Sequence, residues 1–175
     1  MVQARMATEA DVEAICHICS SSWRFTYSKL LSSDAIEAVI AKYYVPARVR
    51  SEIAPAMPHW SGYMVVEDEQ GHVVAVGGGG LSSATASELY VLYADPNNRD
   101  KGYGSAVLEL LTNQQVAAGA SEQWVAVQKG NNLGIPFYLA RGFQVVEEKL
   151  SWDETLSKEG IYSLRMRRSI GSDNE

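Results

Sequence analysis

The chain has 175 residues, 46% of them hydrophobic and 21% charged, with a formal net charge of −6. That length builds one domain with a sizeable core and hardly two, and the composition excludes a disordered chain. The acidic balance disfavours a nucleic-acid partner, which needs clustered Lys and Arg, and no apolar run approaches the roughly 18 residues of a membrane span.

The N-terminal stretch "MVQARMATEADVEAI" lacks the apolar centre of a signal peptide, so a cytoplasmic location is expected. The two cysteines are too few for a disulfide scaffold and suit a reducing compartment. Thr8 followed by Asp11 marks a helix start, and Val12, Ile15, Cys16, Cys19 and Trp23 recur at helical spacing. This predicts a helix over residues 9–22. "SSDAIEAVIAKYY" predicts a second, and Pro46 opens a short third.

The pattern then changes. Residues 62–80 are two apolar runs joined by "EDEQGH", a β-hairpin signal. "ASELYVLYAD" reads as a strand, residues 105–119 as a helix stopped by Gly119, and "QWVAVQ" as a strand. "IPFYLARG" reads as a short helix ended by Gly142. "FQVVEEKLSW" and "GIYSLRMRRS" complete the strands. One domain over residues 1–170 is expected, with residues 171–175 a disordered tail. The order suggests an α/β (α+β) fold, a mixed sheet with helices packed on it.

Residues 97–111, "NNRDKGYGSAVLELL", carry the chemistry. Two glycines beside a helix start each weaken it by roughly 1 kcal/mol relative to alanine, so something compensates. A helix N-terminus offers unpaired N–H groups to phosphate oxygens. Glycines at 102 and 104 would open those groups to a polyphosphate, with Arg99 and Lys101 adding charge. A dinucleotide fingerprint would need a third glycine where Val107 stands, and no P-loop spacing is present.

"LYVLYADPNNRDKGYGSAVLELL" resembles the acetyl-CoA signature of the GNAT superfamily of N-acetyltransferases. "NNLGIPFYLARGF" resembles its second motif, with Asn131, Phe137, Tyr138, Gly142 and Phe143 in register. The resemblance implies a mostly antiparallel central sheet of about six to seven strands flanked by helices. It also implies acetyl-CoA as co-substrate. Leu92, Tyr93 and Ala94 would pair with the pantetheine arm through the backbone. Arg99, Asp100, Lys101, Gly102, Tyr103, Gly104 and Ser105 would hold the pyrophosphate, and Asn131 would bind the cofactor's arm. Tyr138 would lie near the thioester sulfur as proton donor. The acceptor would be a small-molecule or peptide amine, with no nucleic acid, membrane or metal involved. A homodimer is compatible with the resemblance. The alternative is a non-catalytic acyl-CoA-binding sensor or regulatory module.

Amine acetylation needs a neutral amine, and an alkylammonium has a pKa of about 10.4, so a base is sought. Glu88 is the candidate, with Glu88, Tyr90 and Leu92 on one strand face by the period of two. Pro136 departs from the family pattern and places the start of its helix near Gly134, which bears on how Asn131 is turned. "VGGGG" at residues 76–80 precedes no helix and reads as a bulged strand end approached closely by a ligand or backbone. Cys16 and Cys19 fall on an apolar stripe and read as core. The resemblance implies that the first helices form one wall of the acceptor site, with Trp23, Phe25 and Tyr27 as candidates for cation–π contact with an alkylamine and core packing the equal alternative for Trp23. That region has a faint likeness to family members acting on polyamines.

Overall fold

The computed structural model describes residues 2–171. The expected tail, apart from Gly171, lies outside the described residues. Seven strands form one sheet in the order β1-β2-β3-β4-β5-β7-β6. In chain order the elements are β1 (Gln3–Met6), α1 (Val12–Tyr27), α2 (Ser33–Tyr43), α3 (Pro46–Ser51), β2 (Tyr63–Glu67), β3 (Val73–Leu81) and β4 (Ala86–Ala94). Then follow α4 (Tyr103–Ala117), β5 (Glu122–Gln128), α5 (Gly134–Leu139), β6 (Gln144–Leu150), α6 (Glu154–Ser157) and β7 (Tyr162–Ser169). Every pairing is antiparallel except β4 with β5.

The sheet buries a core on each face. On one, Val12, Ile15, Ile18 and Cys19 of α1 pack with Ile36, Val39 and Ile40 of α2 against Tyr63, Val65, Val76 and Val91. On the other, Val107, Leu108 and Leu111 of α4 pack with Tyr138 and Phe143 against Met64, Leu89, Val125, Val127 and Met166. The apolar stripe of α1 is thus core, Cys19 included. The helix runs to Tyr27, five residues beyond the expected end, because Ser20, Ser21 and Ser22 continue rather than stop it. Gln115 and Gln123, buried in the second face, bond each other at 2.9 Å, and Gln123 also donates to Thr112 at 3.0 Å.

The glycine run in β3 faces the protein's own atoms. A Cβ on Gly77 would overlap Val107 of α4, and one on Gly78 would overlap the Trp60 ring. A Cβ on Gly79 would meet the Glu88 carbonyl, and one on Gly80 the His59 carbonyl. The close approach expected of residues 76–80 is therefore made by packing and backbone.

Opposite these glycines β4 carries a bulge. Gly78 pairs with Val91 and Gly79 with Leu89, so Tyr90 is the extra residue. This corrects the expected face assignment. Val91 and Tyr93 point toward α1, and Leu89, Leu92 and Ala94 toward α4. Tyr90 packs its ring 6.5 Å from that of Trp60, on the α1 side. Leu92 therefore does not share a face with Tyr90, because the bulge resets the alternation between them.

Candidate active site

The two parallel strands part company inside the sheet. β4 and β5 pair only between residues 86–89 and 122–125, although both continue. Beyond Leu89 the β4 edge that faced β5 has no strand partner among the described residues. A cleft of about 210 Å³ opens there, lined by β4 from Leu89 to Ala94, β5 from Val125 to Gln128, the end of α1 and the start of α5. Gly104 and Arg99 lie at the same cleft.

The N-terminus of α4 enters this cleft bare. Gly102 is its N-cap, at φ +78°, and no side chain caps the helix. Ala106 N–H reaches back to the Gly102 carbonyl, and the three amides before it, Tyr103, Gly104 and Ser105, are the first-turn donors left without intrahelical acceptors. Asp100 is also left-handed, at φ 63°, so the loop curls tightly before the helix. A Cβ on Gly102 would meet none of the protein's own atoms within 4 Å, and its left-handed backbone favours glycine on conformation alone. A Cβ on Gly104 would stand 3.6 Å from Phe137, in ordinary contact. Arg99 holds its guanidinium 5.3 Å from the Phe25 ring. The Ser105 hydroxyl accepts a hydrogen bond from Arg141, whose guanidinium stacks 3.6 Å from the Phe137 ring. Asp100 and Lys101 are exposed in the loop.

Asn131 caps α5. Its Oδ1 accepts the N–H groups of Leu133 at 3.1 Å and Gly134 at 2.8 Å. Its Nδ2 donates to the Tyr27 hydroxyl at 3.2 Å. The helix begins at Gly134, which puts Pro136 in the first turn, where proline is tolerated. Tyr138, on α5, is 7% exposed overall. Its hydroxyl has no hydrogen-bond partner among the described residues, yet it is not one of the sealed polar atoms and so opens on the cleft. Burial, then the neighbouring Tyr93, push its pKa well up, and Arg141 offsets this in part. Tyr138 is thus protonated at any neutral pH.

Glu88 is not among the side chains lining the cleft. It pairs with Trp124 across β4 and β5, and both its oxygens accept from Arg165, one of them at 3.1 Å. Arg165 also lies 5.1 Å from the Trp124 ring. Trp23 is core, and its indole N–H donates to the Tyr93 hydroxyl at 2.9 Å. Burial carries the Tyr93 pKa up to about 12. Phe25 lines the cleft half-exposed beside Arg99, on the side of the α4 N-terminus. Tyr27 lines it from a buried position.

Among the lining residues to which the sequence reading gave no role in the site are Tyr90, Ser22 and Gln128. Tyr90 is half-exposed because it is the bulged residue. Ser22 lies one turn before Phe25 and donates to the Ala94 carbonyl at 2.9 Å. Gln128, the last residue of β5, accepts from the Tyr27 hydroxyl at 2.7 Å. A serine and a glutamine carry no pattern of their own, so only the fold reveals them.

An unpaired strand edge running toward uncapped helix amides is a fit for an acyl-thioester on an amide-bearing arm that ends in a pyrophosphate. The sequence pattern of the acetyltransferase (GNAT) family matches residues 17–143. The chain belongs to that family. It is an acetyltransferase that uses acetyl-CoA. A spermidine N(1)-acetyltransferase of Thermoplasma acidophilum is 24% identical over 145 residues, covering 82% of this chain and 89% of that protein. The crystal structure of PaiA N-acetyltransferase from the same organism, in complex with coenzyme A, superposes with a TM-score of 0.81 at 20% identity, covering 97% of this chain and 99% of that one. A GCN5-related N-acetyltransferase structure from Rhodopseudomonas palustris superposes with a TM-score of 0.75 at 16% identity, covering 96% and 95%. The acetyltransferase fold is therefore shared with them. Among the described residues, no helix is long and apolar enough to cross a membrane, and no cluster of three or more His, Cys, Asp or Glu is arranged to hold a metal.

Proposed function

We propose that the protein transfers the acetyl group of acetyl-CoA directly to a primary amine, with polyamines the acceptor class, and that Tyr138 serves the departing sulfur. The observation that carries this reading is the unpartnered Tyr138 hydroxyl, which faces the same cleft as the open β4 edge. The amine nitrogen attacks the thioester carbonyl, a C–N bond forms and the C–S bond breaks. The nitrogen sheds one proton and the sulfur ends as a thiol. A phenol whose pKa stands above the thiol's ~8.5 gives the leaving sulfur a hydrogen bond rather than a net proton. The thiol's proton then balances the one lost by the amine, by way of water.

The cofactor's arm would lie along Leu92, Tyr93 and Ala94. The pyrophosphate would sit at the amides of residues 103–105, with Arg99 beside it. Glu88 is proposed to receive the amine's proton through water and return it to solvent, from which the departing thiolate is protonated. Arg165 engages both its oxygens, so only their remaining lone pairs are open to a donor. Glu88→Gln is therefore expected to slow turnover about tenfold, less than the loss of an essential base. The polyamine reading is supported by the relative named a spermidine acetyltransferase. The half-exposed ring of Tyr90 and the net charge of −6 also suit a cation. The free Cys16 and Cys19 fit a cytoplasmic location.

The test is release of coenzyme A thiol with a panel of spermidine, spermine, lysine peptides, peptide N-termini and aminoglycosides. Spermidine or spermine should give the highest kcat/KM. Tyr138→Phe should lower kcat by about 10²- to 10³-fold, roughly 3 to 4 kcal/mol of barrier, with acetyl-CoA affinity unchanged. A Tyr138→Phe protein as fast as wild type would refute the donor role. Preference for a peptide amine would refute the polyamine assignment.

A further inference from the structure

Tyr27 is the last residue of α1, yet its hydroxyl joins two elements on the far side of the cleft. It donates to Oε1 of Gln128 at the end of β5, at 2.7 Å. It accepts from Nδ2 of Asn131, at 3.2 Å. Asn131 in turn spends Oδ1 on the first amides of α5. By inventory this leaves the Asn131 side chain a single uncommitted N–H. Gly134 is forced by the same arrangement, since a Cβ there would stand 2.8 Å from the Asn131 amide.

The hydroxyl is also fixed from behind. The Tyr27 ring packs tilted against Trp23 with centroids 4.4 Å apart, and Trp23 is held to the hydroxyl of Tyr93. Tyr93 belongs to the open β4 edge. One side chain therefore ties the start of α5 to the strand along which the substrate thioester would lie. α5 is six residues long and carries Tyr138 one turn after its start. So short a helix cannot hold its own position, because helices of this length are unstable alone. The packing of the Tyr138 ring between Phe137 and Phe143 and the anchor at the helix N-terminus together hold the Tyr138 hydroxyl.

We propose that Tyr27 is a positioning residue, which acts through Asn131 to place the Tyr138 hydroxyl. This rests on the donor role of Tyr138 proposed above. It changes the meaning of Tyr27, which the sequence suggests as an acceptor wall. At 3% exposure it offers a substrate little surface. A misplacement of about 1 Å at a reacting group costs on the order of 10²-fold, so a relaxed anchor has a measurable effect.

A double-mutant cycle tests this in the full chain, with kcat and KM for acetyl-CoA and for spermidine, or for the best acceptor of the panel, measured in four proteins. These are wild type, Tyr27→Phe, Tyr138→Phe and the double variant. Tyr27→Phe keeps the ring and its packing against Trp23. It is expected to lower kcat about tenfold, with both KM values within threefold of wild type. In the Tyr138→Phe background the same change should cost less than twofold, because there is no hydroxyl left to place. A loss of equal size in both backgrounds would overturn the proposal, as would a Tyr27→Phe protein with wild-type kcat. A Tyr138→Phe protein with wild-type kcat would sink the donor role, and the positioning role with it. A slow Tyr138→Phe protein with additive Tyr27→Phe would sink only the positioning role. Thermal melting checks the fold of each. If Tyr27→Phe melts early, Asn131→Ser replaces it, since its hydroxyl can still cap the helix and it has no amide group to reach Tyr27. The same loss of kcat and the same non-additivity are then expected.

Discussion

At residues 77–80 a methyl group on any of the four glycines would strike Val107, Trp60, Glu88 or His59. At Gly102 it would meet nothing within 4 Å, and at Gly104 only an ordinary contact with Phe137. The first cluster is glycine because the protein has filled the space itself. The second is glycine because a helix start must turn sharply and remain open to the cleft. Chemically identical residues thus differ in what surrounds them, sealed in one cluster and open in the other. The sealed run also has a consequence for the site. Trp60 lies against Gly78 and against Tyr90, the bulged residue at which β4 parts from β5.

The two clusters should respond differently to substitution. The largest effect is expected at Gly80→Ala, where the new Cβ overlaps a backbone carbonyl that no rotamer change can move. A loss of roughly 3 kcal/mol or more is expected, a large fraction of a domain's stability, and urea denaturation would read it. Gly104→Val should leave the melting temperature within a few degrees of wild type while weakening acetyl-CoA binding at least tenfold, roughly 1.4 kcal/mol, by calorimetric titration. The smallest effect belongs to Gly102→Ala. Nothing obstructs the methyl group, and only the left-handed backbone is strained, for about 1 kcal/mol of stability. If Gly102→Ala is as damaging as Gly80→Ala, the distinction between conformation and packing fails. If Gly104→Val unfolds the protein, that glycine belongs with the sealed cluster.

Most helices and strands were legible, because each has its own period. The stripe from Val12 to Trp23 and the short helix started late by Pro136 are local signals. β1 was not, since four residues, "QARM", alternate too briefly to show a pattern. They become a strand only by pairing with β2, some sixty residues on. α6 was missed for its shortness, although Asp153 caps it by accepting the Thr155 N–H at 2.9 Å. The bulge at Tyr90 was illegible for another reason. It exists only as a mismatch between β3 and β4, so the period of two placed Leu92 on the wrong face. The partner of Glu88, Arg165, and the two partners of Tyr27 lie far away in sequence. The motifs therefore located the cleft, while the connections among its side chains waited on the fold.

On the function proposed above, the open end of α4, and not the glycine run in β3, meets the cofactor. Amide hydrogen exchange with and without coenzyme A tests it most directly. The N–H groups of Tyr103, Gly104 and Ser105 have no intrahelical acceptor and should exchange fast in the free protein, then slow at least tenfold on binding. The amides of residues 77–80, already within a paired strand, should change little. Unchanged exchange at residues 103–105 with saturating coenzyme A, or new protection confined to residues 77–80, would contradict the account.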